Sequence, residues 1–215
     1  MENANIVQID ESLINHIIEA VETLDFFSMK ESIKRAIKAG ISSIDIIQKG
    51  ILKGLEESGE LGLILAAEAI EDAVLLLDET KYNDAANAKK YSGKIVVGTI
   101  EGDIHNLGKN VLVALMKSYG MDIIDLGVDV KPEVFFKYAK LPEVKVIGIS
   151  YLLSSVEPAI KTVMNLLKKE NLAHKVKVIL GGAAASSEIA KETKADAYAL
   201  DALTGVEIID KWLSE

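Results

Sequence analysis

The hydrophobic period of the chain changes at Lys94, and this change limits the possible folds more than any other feature. Upstream, apolar residues recur at helical spacing: Leu13, Ile14, Ile17, Ile18, Val21 and Leu24 in one stretch, then Ile33 and Ile37 ahead of Gly40. A third stretch repeats the pattern through Ile44, Ile47, Ile51 and Leu55, with Ser42 or Ser43 as its N-cap. A fourth, LGLILAAEAIEDAVLLLD, is apolar nearly all round. Four helices with short connections predict a helical bundle over residues 1–80. The small, polar residues of 81–93 show no apolar period and read as a linker. From 94 to 215 the apolar runs become short and nearly continuous: KIVVGTI, MDIIDLGV, KVIGISYL, KVKVILGG and AYALD. Each precedes a stretch able to form a helix. That alternation predicts a five-stranded, parallel, doubly wound sheet of the Rossmann-like or flavodoxin-like kind, covered on both faces.

Ligands on such sheets bind beyond the carboxyl ends of the strands, where strand order reverses. Every chemically suggestive loop falls at such an end: DIHNLG after the first strand, SYLLSS after the third, GGAAASS after the fourth and LDA after the fifth. The first stands out because the chain has three histidines and spends one, His105, in a glycine-flanked loop two residues from Asp103. Residues two apart in extended backbone point to the same side, so the carboxylate can hold one imidazole nitrogen and leave the other free as ligand or base. Gly102 and Gly108 let the backbone bend and a large group come close.

Composition removes most competing chemistries. There is no cysteine, hence no disulfide, thiolate metal site, iron–sulfur cluster or cysteine nucleophile. His16 and His174 show no ligand spacing to His105, which disfavours zinc. Neither G-x-G-x-x-G nor G-x-x-x-x-G-K-[ST] is present, which leaves nucleotide binding weak. The third strand ends in Ser150-Tyr151, where a phospho-accepting domain would want an aspartate. A net charge of −9 argues against nucleic acid. No uninterrupted apolar span of about 20 residues and no signal-peptide pattern occur, so a cytoplasmic protein away from membranes is expected. A metal held by a single histidine remains, and such a metal must bring most of its own ligands, as a macrocycle does.

These residues match a known pattern. D-x-H-x-x-G, 41 residues, S-x-L, 28 residues and G-G resembles the signature of cobalamin-binding domains of the methionine synthase type. It reads Asp103-Ile104-His105-Asn106-Leu107-Gly108, Ser150-Tyr151-Leu152 and Gly181-Gly182. With its helical N-terminal half, the whole chain resembles the small corrinoid proteins of anaerobic methyltransferase systems. The resemblance implies a methyl carrier that binds cobalamin base-off, with His105 as cobalt's lower ligand and Asp103 tuning it. Ser150, Leu152 and Ser154 would line one wall of a channel for the nucleotide tail. Gly181 and Gly182 would give that tail room, and Tyr198, Asp201 and Ala202 would border its base. The helical half would cap the upper face. Implied partners are a substrate-specific methyltransferase for methanol, methylamines or methoxylated compounds, an acceptor methyltransferase and a reductive activase. A cobalamin-responsive sensor and the small subunit of a cobalamin-dependent mutase are the alternatives.

Three positions depart from the pattern. Val156 stands where methionine synthase extends the Asp–His relay with a hydroxyl, so the relay's third member is either missing or supplied elsewhere, as by Ser155. Asn106 stands where many relatives carry Asp. ESGELGLIL lacks the aromatic and proline residues usual between the third and fourth helices.

Overall fold

The computed structural model describes residues 11–42, 45–54 and 91–214. The chain divides into two compact units, Met1–Asp84 and Ala85–Glu215. The fourth helical run, the ESGELGLIL segment and residues 81–90 of the expected linker lie outside the described residues.

In the first unit, α1 spans Glu11–Glu22 and α2 spans Phe26–Lys38. Each buries one helical stripe: Leu13, Ile14, Ile17, Ala20 and Val21 on α1, and Met29, Ile33 and Ala36 on α2. Asp25 caps α2 by accepting from the Ser28 N–H at 3.0 Å. The third run enters its helix with Ser42 Oγ accepting from the Asp45 N–H at 3.1 Å. Over Ile46–Leu52 it winds as a π-helix rather than the expected α-helix. A Cβ on Gly50 would come within 2.9 Å of Ile17 Cγ2, so glycine lets this segment lie close against α1.

In the second unit the strands are β1 (Lys94–Thr99), β2 (Asp122–Asp125), β3 (Val144–Ser150), β4 (Lys177–Gly181) and β5 (Ala197–Ala199). All pairings are parallel and the order is β2-β1-β3-β4-β5, the flavodoxin-like arrangement. The connecting helices are α3 (Leu107–Ser118), α4 (Pro132–Ala139), α5 (Glu157–Lys169), α6 (Ser187–Thr193) and α7 (Ala202–Ser214). Strand alternation divides the apolar side chains between two faces. Val96, Ile147, Ile149, Val178 and Leu180 pack with Phe135 of α4, Ile160, Val163 and Leu167 of α5 and Ala190 of α6. Val97, Gly148, Ile179 and Gly181 face α3 and α7 instead. Register places Thr99 beside Ser150, Ser150 beside Gly181 and Gly181 beside Ala199, which gathers the carboxyl ends of four strands at one level.

Tyr151, just past β3, is 1% exposed in the core beneath α5, and its hydroxyl has no hydrogen-bond partner among the described residues. Burial, with the nearby Glu157 charge, pushes its phenol up to about 12. A buried unpaired hydroxyl costs roughly 1 kcal/mol or more, while the ring fills the core whether or not it carries oxygen. Tyr151→Phe is therefore expected to raise the thermal midpoint by about 3 °C. A lowered midpoint would mean that the hydroxyl has a partner.

Candidate cofactor site

The loop between β1 and α3 holds the Asp–His pair, and its main chain fixes both side chains. Gly102 turns it at φ +87, in the left-handed region. Asp103 follows and is 1% exposed. Each of its carboxylate oxygens accepts two hydrogen bonds. Oδ1 lies 2.6 Å from His105 Nδ1 and accepts the His105 backbone N–H at 3.0 Å. Oδ2 accepts the N–H groups of Leu152 and Leu153 at 2.6 and 3.1 Å. Burial by itself would raise the carboxyl, but these N–H groups together with the His105 ring outweigh it and hold Asp103 at about 2. The group is therefore ionised at neutral pH and must accept. Nδ1 of His105 carries the shared proton, so the neutral ring keeps its lone pair on Nε2. The imidazole side chain is 52% exposed, and the Thr99 hydroxyl donates to the His105 carbonyl at 3.0 Å. The geometry holds Nδ1 against the carboxylate and leaves Nε2 on the far side of a half-exposed ring.

Beside this pair, between the strand ends and helices α3 and α7, runs a narrow slot, partly open to solvent. Its walls are mostly apolar or small, with Val97, Gly148 and Ile179 from the sheet, Gly108 and Leu112 from α3, and Ala202 and Gly205 from α7, and Lys109 and Asp201 are its charged members. A Cβ on Gly108 would meet nothing within 4 Å, and one on Gly181 would find its nearest neighbour, the Ala199 carbonyl, at 3.9 Å. Packing within the chain does not demand glycine at these two positions; an added side chain would occupy the slot. Around the mouth, Ile104, Leu152, Leu153 and Leu200 are large apolar residues left 72, 42, 40 and 63% exposed. Exposed apolar groups clustered at a concave site mark a binding surface.

The structure thus brings together Gly102, Asp103, Ile104, His105, Gly108, Ser150, Gly181, Gly182, Asp201 and Ala202, while other expected residues take different places. Asn106 is the residue before α3; its side chain makes no capping bond, and its carbonyl accepts the Asn110 N–H at 2.8 Å. Leu152 serves Asp103 through its backbone and stands at the rim rather than in a channel wall. Ser154 is exposed at the start of a 3₁₀ turn, Ser154–Val156, and is not among the slot residues. Tyr198 departs further. Its neighbour Ala199 lines the slot, so strand alternation turns the exposed Tyr198 away from it. Asp201 borders the slot while capping α7, accepting from the Thr204 N–H at 2.7 Å and its hydroxyl at 2.8 Å. Gly182 is required for a reason internal to the protein. It adopts φ +111, and a Cβ there would strike the Tyr151 carbonyl.

Neither Val156 nor Ser155 extends the relay. Val156 is buried against Gly102, Ser155 is exposed, and among the described residues no hydroxyl reaches Asp103. The Leu152 and Leu153 amides occupy the carboxylate's far side instead.

Lys109 belongs to the site's frame and was not expected. Its buried ammonium, at the start of α3, bonds both Asp125 oxygens at 2.9 and 2.7 Å and Asn110 Oδ1 at 2.7 Å. The partner Asp125 lies 16 residues away at the end of β2, so no local pattern announces the pair.

A doubly wound sheet with an outward-facing imidazole, an apolar rim and a glycine-lined slot defines a cofactor-binding α/β domain. Residues 93–207 match the B12 binding domain family. Over 213 residues the chain is 32% identical to a corrinoid protein of Desulfitobacterium hafniense, covering 95% of this chain and 99% of the relative. It is 33% identical over 205 residues to dimethylamine corrinoid protein 3 of Methanosarcina acetivorans, covering 91% and 94%. The structure of the Methanosarcina barkeri monomethylamine corrinoid protein matches with a TM-score of 0.75 at 26% identity, covering 93% of this chain and 98% of that one. The chain belongs to the B12-binding family, among the small corrinoid proteins. Its residues fit a corrinoid: the rim suits an apolar macrocycle face, the slot a nucleotide tail, and His105 the metal. Among the described residues no cluster of three or more His, Cys, Asp or Glu could hold a bare metal ion, and no helix is long and apolar enough to cross a membrane.

Proposed function

We propose that the chain carries a methyl group between two methyltransferases, with a corrinoid bound base-off and His105 as the lower ligand of its cobalt. The observation that supports this reading most directly is the tautomer imposed by Asp103. An ionised carboxylate with both oxygens already saturated by N–H donors fixes the proton on Nδ1 and leaves Nε2 able to donate to a metal. When bound, cobalt supplies the site that accepts and releases the methyl group. The protein's residues supply the rest. Asp103 fixes the tautomer and the orientation of the imidazole, the rim residues would keep water from one face of the macrocycle, and the slot would accommodate the tail. The proposed domain division is a helical cap domain over 1–80, a linker over 81–93 and a cofactor domain over 94–215. The loading partner is a substrate-specific methyltransferase, the unloading partner acts on a C1 acceptor, and a reductive activase restores the cofactor when it oxidises. A cytoplasmic location follows from this role.

Reconstitution with cobalamin tests the reading. The wild type is expected to retain the cofactor with a base-off, His-on absorption spectrum. His105→Ala should retain it in the slot but lose the His-on features. Failure of the wild type to retain cobalamin, or a spectrum unchanged by His105→Ala, would overturn the proposal.

A further inference from the structure

The loop carrying Asp103 and His105 is held on two sides. On the β3 side the Asp103 carboxylate receives the Leu152 and Leu153 amides. On the β2 side stands Asp129, which belongs to no part of the D-x-H, S-x-L or G-G pattern. Its carboxylate Oδ1 accepts the Gly102 N–H at 2.8 Å, and its own N–H donates to the Asp103 carbonyl at 3.1 Å. Asp129 makes both bonds at φ +53, in the left-handed region that Asp and Asn adopt more readily than other residues with side chains. The chain on either side is already fixed. Thr99 donates to the Gly127 carbonyl, Val130 to Thr99, and Glu101 to Val130. The segment after β2 therefore runs as a parallel extension beside the His loop, and Asp129 is the point where a side chain crosses between them.

We propose that Asp129 is a positioning residue for the cobalt ligand. It pins Gly102 and the Asp103 main chain so that the imidazole meets the metal without the loop first having to be ordered. This rests on the assignment of His105 as lower ligand. Without the Asp129 bond, Gly102 loses a fixed partner at the residue where the loop turns, and the loop gains freedom that ligation must then remove. Asn at 129 can still accept through Oδ1 and tolerates left-handed backbone. Gly at 129 adopts that backbone without strain yet offers no acceptor. The two substitutions separate the hydrogen bond from the backbone.

The test uses the full chain reconstituted with cobalamin and reduced to the Co(II) state, read by electron paramagnetic resonance, together with amide hydrogen exchange of the cofactor-free protein. The wild type and Asp129→Asn are expected to show nitrogen splitting of the cobalt lines. Asp129→Gly is expected to lose most of that splitting while still retaining cobalamin, and to exchange the Gly102 amide about tenfold faster with β1 amides unchanged. Wild-type splitting that survives in Asp129→Gly would overturn the positioning role while leaving His105 as ligand. Loss in Asp129→Asn as well would assign the effect to charge, and would also overturn it. A wild type without splitting would remove His105 as ligand and the proposal with it, and this result is distinct because it needs no variant.

Discussion

Alanine at Gly182 is expected to cost the second unit about 3 kcal/mol, whereas alanine at Gly181 is expected to leave the cofactor-free protein as stable as the wild type. The two glycines are adjacent and belong to one motif, but they answer to different constraints. Gly182 sits at φ +111, where a side chain is strained, and its Cβ would be driven into the Tyr151 carbonyl. That neighbour is backbone and cannot swing aside. Tyr151 donates to the Gly181 carbonyl at 2.9 Å, and the next two amides hold Asp103. Displacing the Tyr151 peptide therefore disturbs the imidazole's anchor as well as the sheet edge. Thermal unfolding should show a midpoint lowered by about 10 °C for Gly182→Ala. Gly181 has no positive φ, and its Cβ would find only ordinary contact at 3.9 Å. Its added methyl would enter the slot, so Gly181→Ala should weaken cobalamin retention about tenfold with an unchanged midpoint. Equal midpoints for the two variants would refute the distinction.

The same contrast explains what the sequence disclosed. The five strands were legible because each is a near-continuous apolar run ended by loop residues, and burial on both faces of a parallel sheet demands such runs. Their carboxyl ends collected the motif residues because parallel connections return every strand in one direction. The Asp103–His105 pair was legible because its bond spans two residues. Contacts that cross the sheet were not. The Leu152 and Leu153 amides lie 49 and 50 residues from Asp103 and are main-chain groups, which no side-chain pattern can encode. They also explain why Val156 can stand where a hydroxyl relay member was wanted: the far carboxylate oxygen is already saturated.

Tyr198 stands outside the slot that Asp201 and Ala202 border, because β5 alternates and its slot-facing residue is Ala199. Period-two reasoning applied to AYA would have separated them. The Asp201 role in capping α7 was equally available, since Asp201 and Thr204 have the spacing of an N-cap and its partner. For the first unit, helical spacing located the described helices, while the π winding of Ile46–Leu52 left no mark on the apolar pattern.

Asp103→Asn is expected to damage stability and ligation together, and to flatten the acid limb of the stability curve. Both oxygens of Asp103 accept two N–H groups each, so an amide NH₂ would face donors whichever way it turned. Turned toward Leu152 and Leu153, it leaves two buried amides unpaired. Turned toward His105, it confronts the ring's Nδ1 proton and favours the tautomer with hydrogen on Nε2, which leaves that nitrogen without a lone pair for a metal. Either orientation costs about 3 kcal/mol for breaking a buried charged network. The pH dependence follows from the depressed carboxyl. Asp103 titrates at about 2 in the folded chain against an ordinary 3.8. Its stabilising contribution is complete above the unfolded value and disappears as pH falls through about 2. At 1.36 kcal/mol per unit this is roughly 2 kcal/mol, which the wild type loses between about pH 4 and pH 2 and the variant does not possess. Denaturant unfolding of the cofactor-free proteins across that range should show two curves that converge toward acid. Parallel curves would mean that Asp103 is not held by its four donors. Convergence without loss of the His-on spectrum in the reconstituted variant would confine the residue to a structural role and leave the imidazole's tautomer to be set elsewhere.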